Sequence, residues 1–344
     1  MSRPAPPPLA LTMGEPAGIG GELTLKAWLG RTRAIPPFFV IADAAALRRL
    51  ARRLGLAVPV AAIDGPELAP AVFPEALPVL PQPLAVPVTA GRLEPLNAPP
   101  VIDSIRRAVE LVRAGRALAV VTNPVHKRHL YEAGFHHPGH TEFLAELAGA
   151  NEPPVMMLAC RALKVVPVTV HLPLRQAIES LSTELIVSRG RITAAALRED
   201  FGIEAPRLAV AGLNPHAGED GTLGREETLI IEPAVAALKA LGLDVTGPAP
   251  ADSLFHARAR QAYDAVLCMY HDQALLPLKT IDFRGAVNTT LGLPFVRTSP
   301  DHGTALDIAG KGVADPTSLL AALRMAGDIA RRRRTHAARR RARG

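Results

Sequence analysis

Three histidines stand where apolar runs end. KVVPVTVH finishes at His171, RLAVAGLNPH reaches His216, and DAVLCMYH finishes at His271. Runs of this kind read as buried strands, and in open α/β sheets ligands collect beyond the carboxyl ends of the strands. Three neutral imidazoles around an open position suit a catalytic divalent cation such as zinc. The spacings, 45 and 55 residues, form no local ligand motif, and a chain with eleven histidines can put three at strand ends by chance. Carboxylates lie close by in sequence: Asp272 follows His271, and Asp252 sits in GPAPADSLF ahead of the same run. Either suits a further ligand, an orienting partner for an imidazole, or a proton-transfer group. For Asp252 the structural alternative is a helix N-cap.

A second chemical signal is the loop TMGEPAGIGGEL, with Gly14, Gly18, Gly20 and Gly21. Position 23 is leucine, so the loop does not meet G-x-G-x-x-G, and nothing else in the chain supplies that dinucleotide fingerprint. A glycine loop opening a helix suits close approach of an anion, and it suits a plain tight connection equally well.

The elements that must position these residues follow from hydrophobic periodicity. Strands are expected at 9–13, 38–42, 118–122, 155–160, 165–171, 207–212, 265–270 and 286–291. Helices are expected at 20–29, 44–54, 102–114, 141–148, 183–200, 226–241 and 316–331. Continuous apolar strands separated by helices indicate sheets covered on both faces, the α/β class. The Pro-rich stretch 55–100 is weakly patterned and reads as short strands and loops at an edge. At 344 residues the chain exceeds one ordinary domain, so two are expected.

Composition narrows the function classes. The net charge is +7, but the last fourteen residues hold eight arginines and no acid, so the rest of the chain is close to neutral. The tail reads as a solvated end, and without a basic stripe in the body nucleic acid is a poor partner. Cys160 and Cys268 sit inside apolar runs and read as buried thiols in a reducing compartment. The proline cluster near the start does not fit a signal peptide, and no run reaches membrane length, so a cytoplasmic protein is expected.

The motifs then become specific. TMGEPAGIGGE (12–22), TNPVHK (122–127), GFHHPGHTEFLA (134–145), HLPLR (171–175), GLNPHAGEDG with GREE (212–227), MYHDQ (269–273) and NTTLGLPFVRTSPDHGTALDIAG (288–310) occur in order. Together they resemble the 4-hydroxythreonine-4-phosphate dehydrogenase family. The departures are Gly21, where that family usually has proline, and the arginine tail. DHGTALDIAGKGVADP (301–316) in turn looks like the cofactor loop of isocitrate and isopropylmalate dehydrogenases.

The resemblance implies two α/β/α domains around a cleft, isocitrate/isopropylmalate dehydrogenase-like and not a Rossmann fold. Residues 1–128 with 290–330 would form the first domain, carrying the cofactor loop. Residues 129–289 would form the central domain with metal ligands and dimer contacts, and 331–344 a disordered Arg-rich tail. His171, His216 and His271 would hold one divalent metal per subunit (Zn, Co or Mg). His140, Thr141, Lys279, Asn288 and Arg297 would bind a small phosphorylated amino-acid or hydroxy-acid substrate. Taken alone, Lys279 or Arg297 would read as a surface ion-pair residue. Asp301, His302, Gly303, Thr304, Asp307, Gly310 and Gly312 would hold NAD or NADP. Asp252, Asp272 and Lys279 are the candidates for the general base.

The implied reaction is oxidation of 4-phosphooxy-L-threonine at C3 with decarboxylation to 3-amino-2-oxopropyl phosphate, a step in pyridoxal 5'-phosphate biosynthesis. The alternative within the family is a dehydrogenase of a four-carbon sugar-acid phosphate or a dihydrodiol carboxylate. A metal-dependent hydrolase on the same histidines and a nucleic-acid role for the tail are the more distant rivals. The resemblance also implies a homodimer with a shared active site, with His171 expected from one subunit and His216 and His271 from the other.

Overall fold

The computed structural model describes residues 6–132, 140–150 and 152–341. Twelve strands are assigned there: β1 (Leu9–Thr12), β2 (Phe38–Ala42), β3 (Val60–Ala62), β4 (Leu77–Pro81), β5 (Val120–Val121), β6 (Val155–Ala159), β7 (Lys164–Pro167), β8 (Arg207–Ala211), β9 (Asp244–Ala249), β10 (Ala265–Cys268), β11 (Val287–Leu291) and β12 (Arg297–Pro300). The chain divides into two compact units, one of residues 1–154 with 293–330 and one of residues 155–292 with 331–344.

In the first unit the sheet order is β3-β4-β2-β1-β5-β12, and every pair is parallel. β1 and β2 are buried along their whole length, which is why they read as unbroken apolar runs rather than alternating ones. The helix Gly20–Leu29 follows β1, and Ala44–Arg53 follows β2 with Asp43 as its N-cap, accepting from Ala46 N at 2.7 Å. The chain's one tryptophan, Trp28, is 5% exposed. Its indole N–H donates to Phe73 O at 3.0 Å, and the Arg31 guanidinium lies 3.6 Å from its ring centroid.

In the second unit the order is β11-β6-β7-β10-β8-β9, antiparallel at β11–β6 and β6–β7 and parallel thereafter. Strand alternation sends neighbouring residues to opposite faces. Val166, Val168, Leu208, Val210, Leu267 and Met269 pack in one core, and Val165, Ala209, Ala211, Val266 and Cys268 in another. Gly190 lets its helix approach closely, because a Cβ there would lie 2.7 Å from a Leu238 methyl.

The α/β class is as expected. The domain limits differ: residues 129–154 belong with the first unit, and 331–344 with the second. The expected disordered tail is also corrected, since the helix Thr317–Arg341 runs on through most of it. Ala and Arg are strong helix formers, and Arg333 forms a two-pronged contact with the carboxylate of Asp200, 2.5 Å from Nε and 2.8 Å from Nη2. The stretch 55–100 holds β3 at the sheet edge, as its weak pattern suggests, but β4 is an interior strand. A helix His271–Ile281 escapes periodicity because Pro277 lies inside it.

Candidate active site

In the second unit β7 and β10 run side by side, and their pairing continues past the strands through Val168 N to Cys268 O at 2.7 Å. Thr169 fixes the two ends, its hydroxyl donating to Met269 O at 2.8 Å. Directly beyond stand His171 and His271, with ring centroids 5.7 Å apart. His171 has a left-handed backbone, φ 53°, a strained setting for a non-glycine residue. His271 Nδ1 lies 2.7 Å from Asp272 Oδ1. With the carboxylate accepting from Nδ1–H, the lone pair falls on Nε2, the tautomer a metal ligand needs.

Gln273 braces the next strand. Its amide oxygen accepts from Met269 N and its amide nitrogen donates to Gly212 O, both at 2.7 Å, which ties the end of β10 to the end of β8. β8 leads into the His216 loop, where His216, Ala217, Gly218, Glu219 and Asp220 all have positive φ, from 43° to 81°. Glu227, 2% exposed, holds this loop from beneath. It accepts from Leu213 N at 2.7 Å, Asn214 N at 2.8 Å and Asn214 Nδ2 at 2.9 Å. Glu227 opens a π-helical turn, Glu227–Ile231, a rare form that often marks functional ground. Asn214 Nδ2 also donates to Glu226 at 2.8 Å and keeps that carboxyl below the usual value.

His171 and His271 are thus brought together within one chain. No group of three His, Cys, Asp or Glu side chains able to hold a metal forms among the described residues. The expected division sets His171 apart from His216 and His271, whereas His171 and His271 stand side by side within one chain. An imidazole pair with an orienting carboxylate fits a divalent cation as a partial donor set, which needs another ligand to complete it.

Asp252 lies exposed in the first turn of Ala251–Leu254, where the N-cap is Pro250 rather than Asp252. Lys279 is half-buried, with its ammonium 5.1 Å from the Phe283 ring centroid. Asn288 Oδ1 on β11 is a buried acceptor without a hydrogen-bond partner in the described structure, as a ligand-facing amide would be.

In the first unit Arg297, 3% exposed, donates through Nη2 to Thr122 Oγ1 at 2.8 Å. Asp301, His302, Gly303 and Thr304 follow β12, and Ile19 N donates to Thr304 O at 3.0 Å, which ties the glycine loop to them. Asp307 is exposed beyond the left-handed Ala305. Gly310 and Gly312 both have positive φ. Glu22 accepts from Ala314 N at 2.8 Å and Gly312 N at 3.2 Å, while Lys26 Nζ donates to Gly312 O and Ala314 O. His140 and Thr141 open the helix His140–Ala148, and their side chains lie outside the described residues, as do residues 133–139 of the same motif.

Sequence reading missed the supports: Thr169, Gln273, Glu227 and a buried Glu15–His129 pair at 2.8 Å. Glu15 and Glu227 lie inside quoted motifs, where an acid among glycines was the available signal.

An α/β enzyme with its polar residues gathered beyond strand ends is the class these features define. Residues 34–326 match the family model described as pyridoxal phosphate biosynthetic protein PdxA. A 4-hydroxythreonine-4-phosphate dehydrogenase of Methylorubrum populi is 57% identical over 94% of this chain and 95% of its own. One of Caulobacter vibrioides is 55% identical over 95% and 98%. Among solved structures, the 4-hydroxythreonine-4-phosphate dehydrogenase of Klebsiella pneumoniae superposes with a TM-score of 0.84 at 39% identity, covering 94% and 99%. A terephthalate 1,2-cis-dihydrodiol dehydrogenase of Burkholderia xenovorans gives 0.60 at 28%, covering 94% and 98%. The chain belongs to the PdxA family.

Proposed function

We propose that this chain is a nicotinamide-dependent 4-hydroxythreonine-4-phosphate dehydrogenase, oxidising 4-phosphooxy-L-threonine at C3 with loss of carbon dioxide. The observation that carries the reading is the agreement, above 50% identity over nearly the whole chain, with relatives of that name. The greater distance to the dihydrodiol dehydrogenase favours a phosphorylated substrate over a cyclic one.

When bound, a divalent cation supplies Lewis acidity toward the substrate hydroxyl, and a nicotinamide supplies the hydride acceptor. The chain's own residues do the rest. Asp272 fixes the tautomer of His271, and His171 stands beside it as a second donor. Arg297 and Lys279 offer cationic groups for the phosphate and carboxylate, and Asn288 offers a directed amide. Asp252, Asp272 and Lys279 remain the candidates to take the hydroxyl proton.

The third imidazole is proposed to be His216 of a second copy, in a homodimer with two equivalent sites. His171→Ala and His216→Ala, each inactive alone, should then complement on co-expression: half the dimers are mixed and one of their two sites is intact, so about a quarter of all sites work. His171→Ala with His271→Ala should stay inactive, because both lesions fall on the same half-site. The overall function is tested with purified protein, NAD or NADP, divalent metals with a chelator control, and a substrate panel. The panel holds 4-phosphooxy-L-threonine, a four-carbon sugar-acid phosphate and a dihydrodiol carboxylate. Failure to reduce the cofactor with the first compound refutes the reading.

A further inference from the structure

The buried pair Glu15–His129 belongs to none of the groups assigned above to metal, substrate or cofactor, yet it joins two of the motif segments. Both residues are 1% exposed, and Glu15 Oε2 lies 2.8 Å from His129 Nδ1. The other ring nitrogen, Nε2, is buried without a hydrogen-bond partner. An unsatisfied buried nitrogen is unfavourable, so an apolar side chain would serve packing better at this place. What the histidine adds is its one bond to the carboxylate.

Glu15 directs its remaining polar groups to the same neighbourhood. Oε1 accepts from Ala17 N at 3.1 Å and closes the turn of the glycine loop, while the main-chain N–H donates to Pro124 O at 2.8 Å. Gly14, with φ 70°, stands where a Cβ would lie 2.6 Å from Asn123 Cβ and 2.8 Å from Pro124 O, so the two segments meet with no side chain between them. Asn123 completes the seam, donating through Nδ2 to Thr12 O at 3.0 Å and Thr24 Oγ1 at 2.9 Å. One residue earlier, Thr122 Oγ1 accepts from Arg297 Nη2 at 2.8 Å. Glu15 thus fixes Pro124 through its main chain and the helix Lys127–Glu132 through His129, and the segment so held carries the hydroxyl that aims Arg297. The glycine loop reaches Thr304 only farther on, through Ile19 N, so the pair bears first on Arg297.

We infer that Glu15 and His129 are positioning residues for Arg297, holding residues 122–129 in register with the glycine loop so that Thr122 points the guanidinium at the substrate's anionic group. The inference rests on the assignment of Arg297 to substrate in the dehydrogenase reading above. Charge-assisted contacts from a planar guanidinium are directional, so a small turn of the fork loses part of them.

The test is steady-state kinetics of the purified, metal-supplied enzyme, varying separately the cofactor and whichever phosphorylated compound of the panel it oxidises. His129→Leu should raise the substrate KM about tenfold, with kcat within about threefold and the cofactor KM unchanged. His129→Asn, whose amide nitrogen can donate where Nδ1 does, should recover most of that rise. Thr122→Val should raise the substrate KM by itself, and His129→Leu placed on top should add less than about twofold, because residues acting through one contact are not additive. Should His129→Leu fail to fold with Glu15 left buried and unpaired, Glu15→Gln combined with His129→Leu removes the charge and carries the same expectation. An unchanged substrate KM in a folded His129 or Thr122 variant overturns the positioning role. A full tenfold addition on Thr122→Val, or a rise confined to the cofactor KM, overturns it equally, and in these cases the dehydrogenase reading stands. An unaltered enzyme that oxidises no compound of the panel overturns that reading and this one with it.

Discussion

Replacing Glu227 with alanine tests whether the His216 loop is held in place by one buried carboxylate. Four non-glycine residues in succession around Gly218 carry positive φ, and each such residue costs about 1–2 kcal/mol relative to ordinary backbone. The run thus stores several kcal/mol that something must offset. Glu227 provides three hydrogen bonds to a charged acceptor, each contributing about 1.5–3 kcal/mol. These two sums are comparable, so removal of the carboxylate should let the loop relax rather than unfold the protein. We expect a global loss of about 1–3 kcal/mol in urea denaturation, well below the sum of the three bonds. Glu227→Gln should fall between, because its oxygen can still serve Leu213 N and Asn214 N while its amide faces the amide donor of Asn214. Limited proteolysis at 214–224 reads the loop directly, and zinc competition against a chelator reads the proposed His216 ligand. A Glu227→Ala protein with native protease resistance at this loop and native zinc affinity would refute the reasoning.

Arg333→Ala leaves the carboxylate of Asp200, 3% exposed, buried without its guanidinium, and should cost about 3 kcal/mol by denaturant melt. Asp200→Asn in the same chain should recover part of that loss. Burial pushes the Cys268 thiol far above the ordinary range, so it should resist alkylation at pH 8 until the protein is unfolded, as mass spectrometry of labelled peptides would read. The Asn214 amide holds Glu226 below its ordinary value of 4.5, so the bond contributes fully above that pH and is lost as pH falls through the depressed value. Proteolysis of the His216 loop by an acid-active protease should therefore increase as the pH falls below about 4.5, and Glu226→Gln should flatten that rise.

The residues legible in the sequence were those whose pattern and place coincide. His171 and His271 each close an apolar run, and parallel pairing of β7 with β10 carries both to one edge. His216 also follows such a run, but it opens a left-handed loop that continues to Asp220, and nothing in LNPHAGEDG marks that change of backbone sign. Gln273 and Glu227 stayed hidden because their role is to accept or donate to main-chain atoms distant in sequence, Gly212 and Leu213 among them. β9 was missed because Asp244, Gly247 and Pro248 interrupt its pattern, and β12 because RTSP is polar although fully buried. In both, sheet pairing overrides propensity. The tail misled for a different reason: its charge suggested solvation, and the buried Asp200 that anchors Arg333 lies more than a hundred residues earlier.

Trp28 gives the molecule an internal reporter. It is the only tryptophan, lies in the first unit, and is enclosed by Phe73 and the Arg31 guanidinium, so exposure to water should shift its emission to the red. The second unit is silent at tryptophan excitation, whereas far-ultraviolet circular dichroism records the helices of both. A single denaturation experiment followed by the two signals therefore separates the units optically without labels. Coincident midpoints would mean that they melt as one cooperative body, and a dichroism change with no matching emission change would isolate the unit that carries the histidine pair.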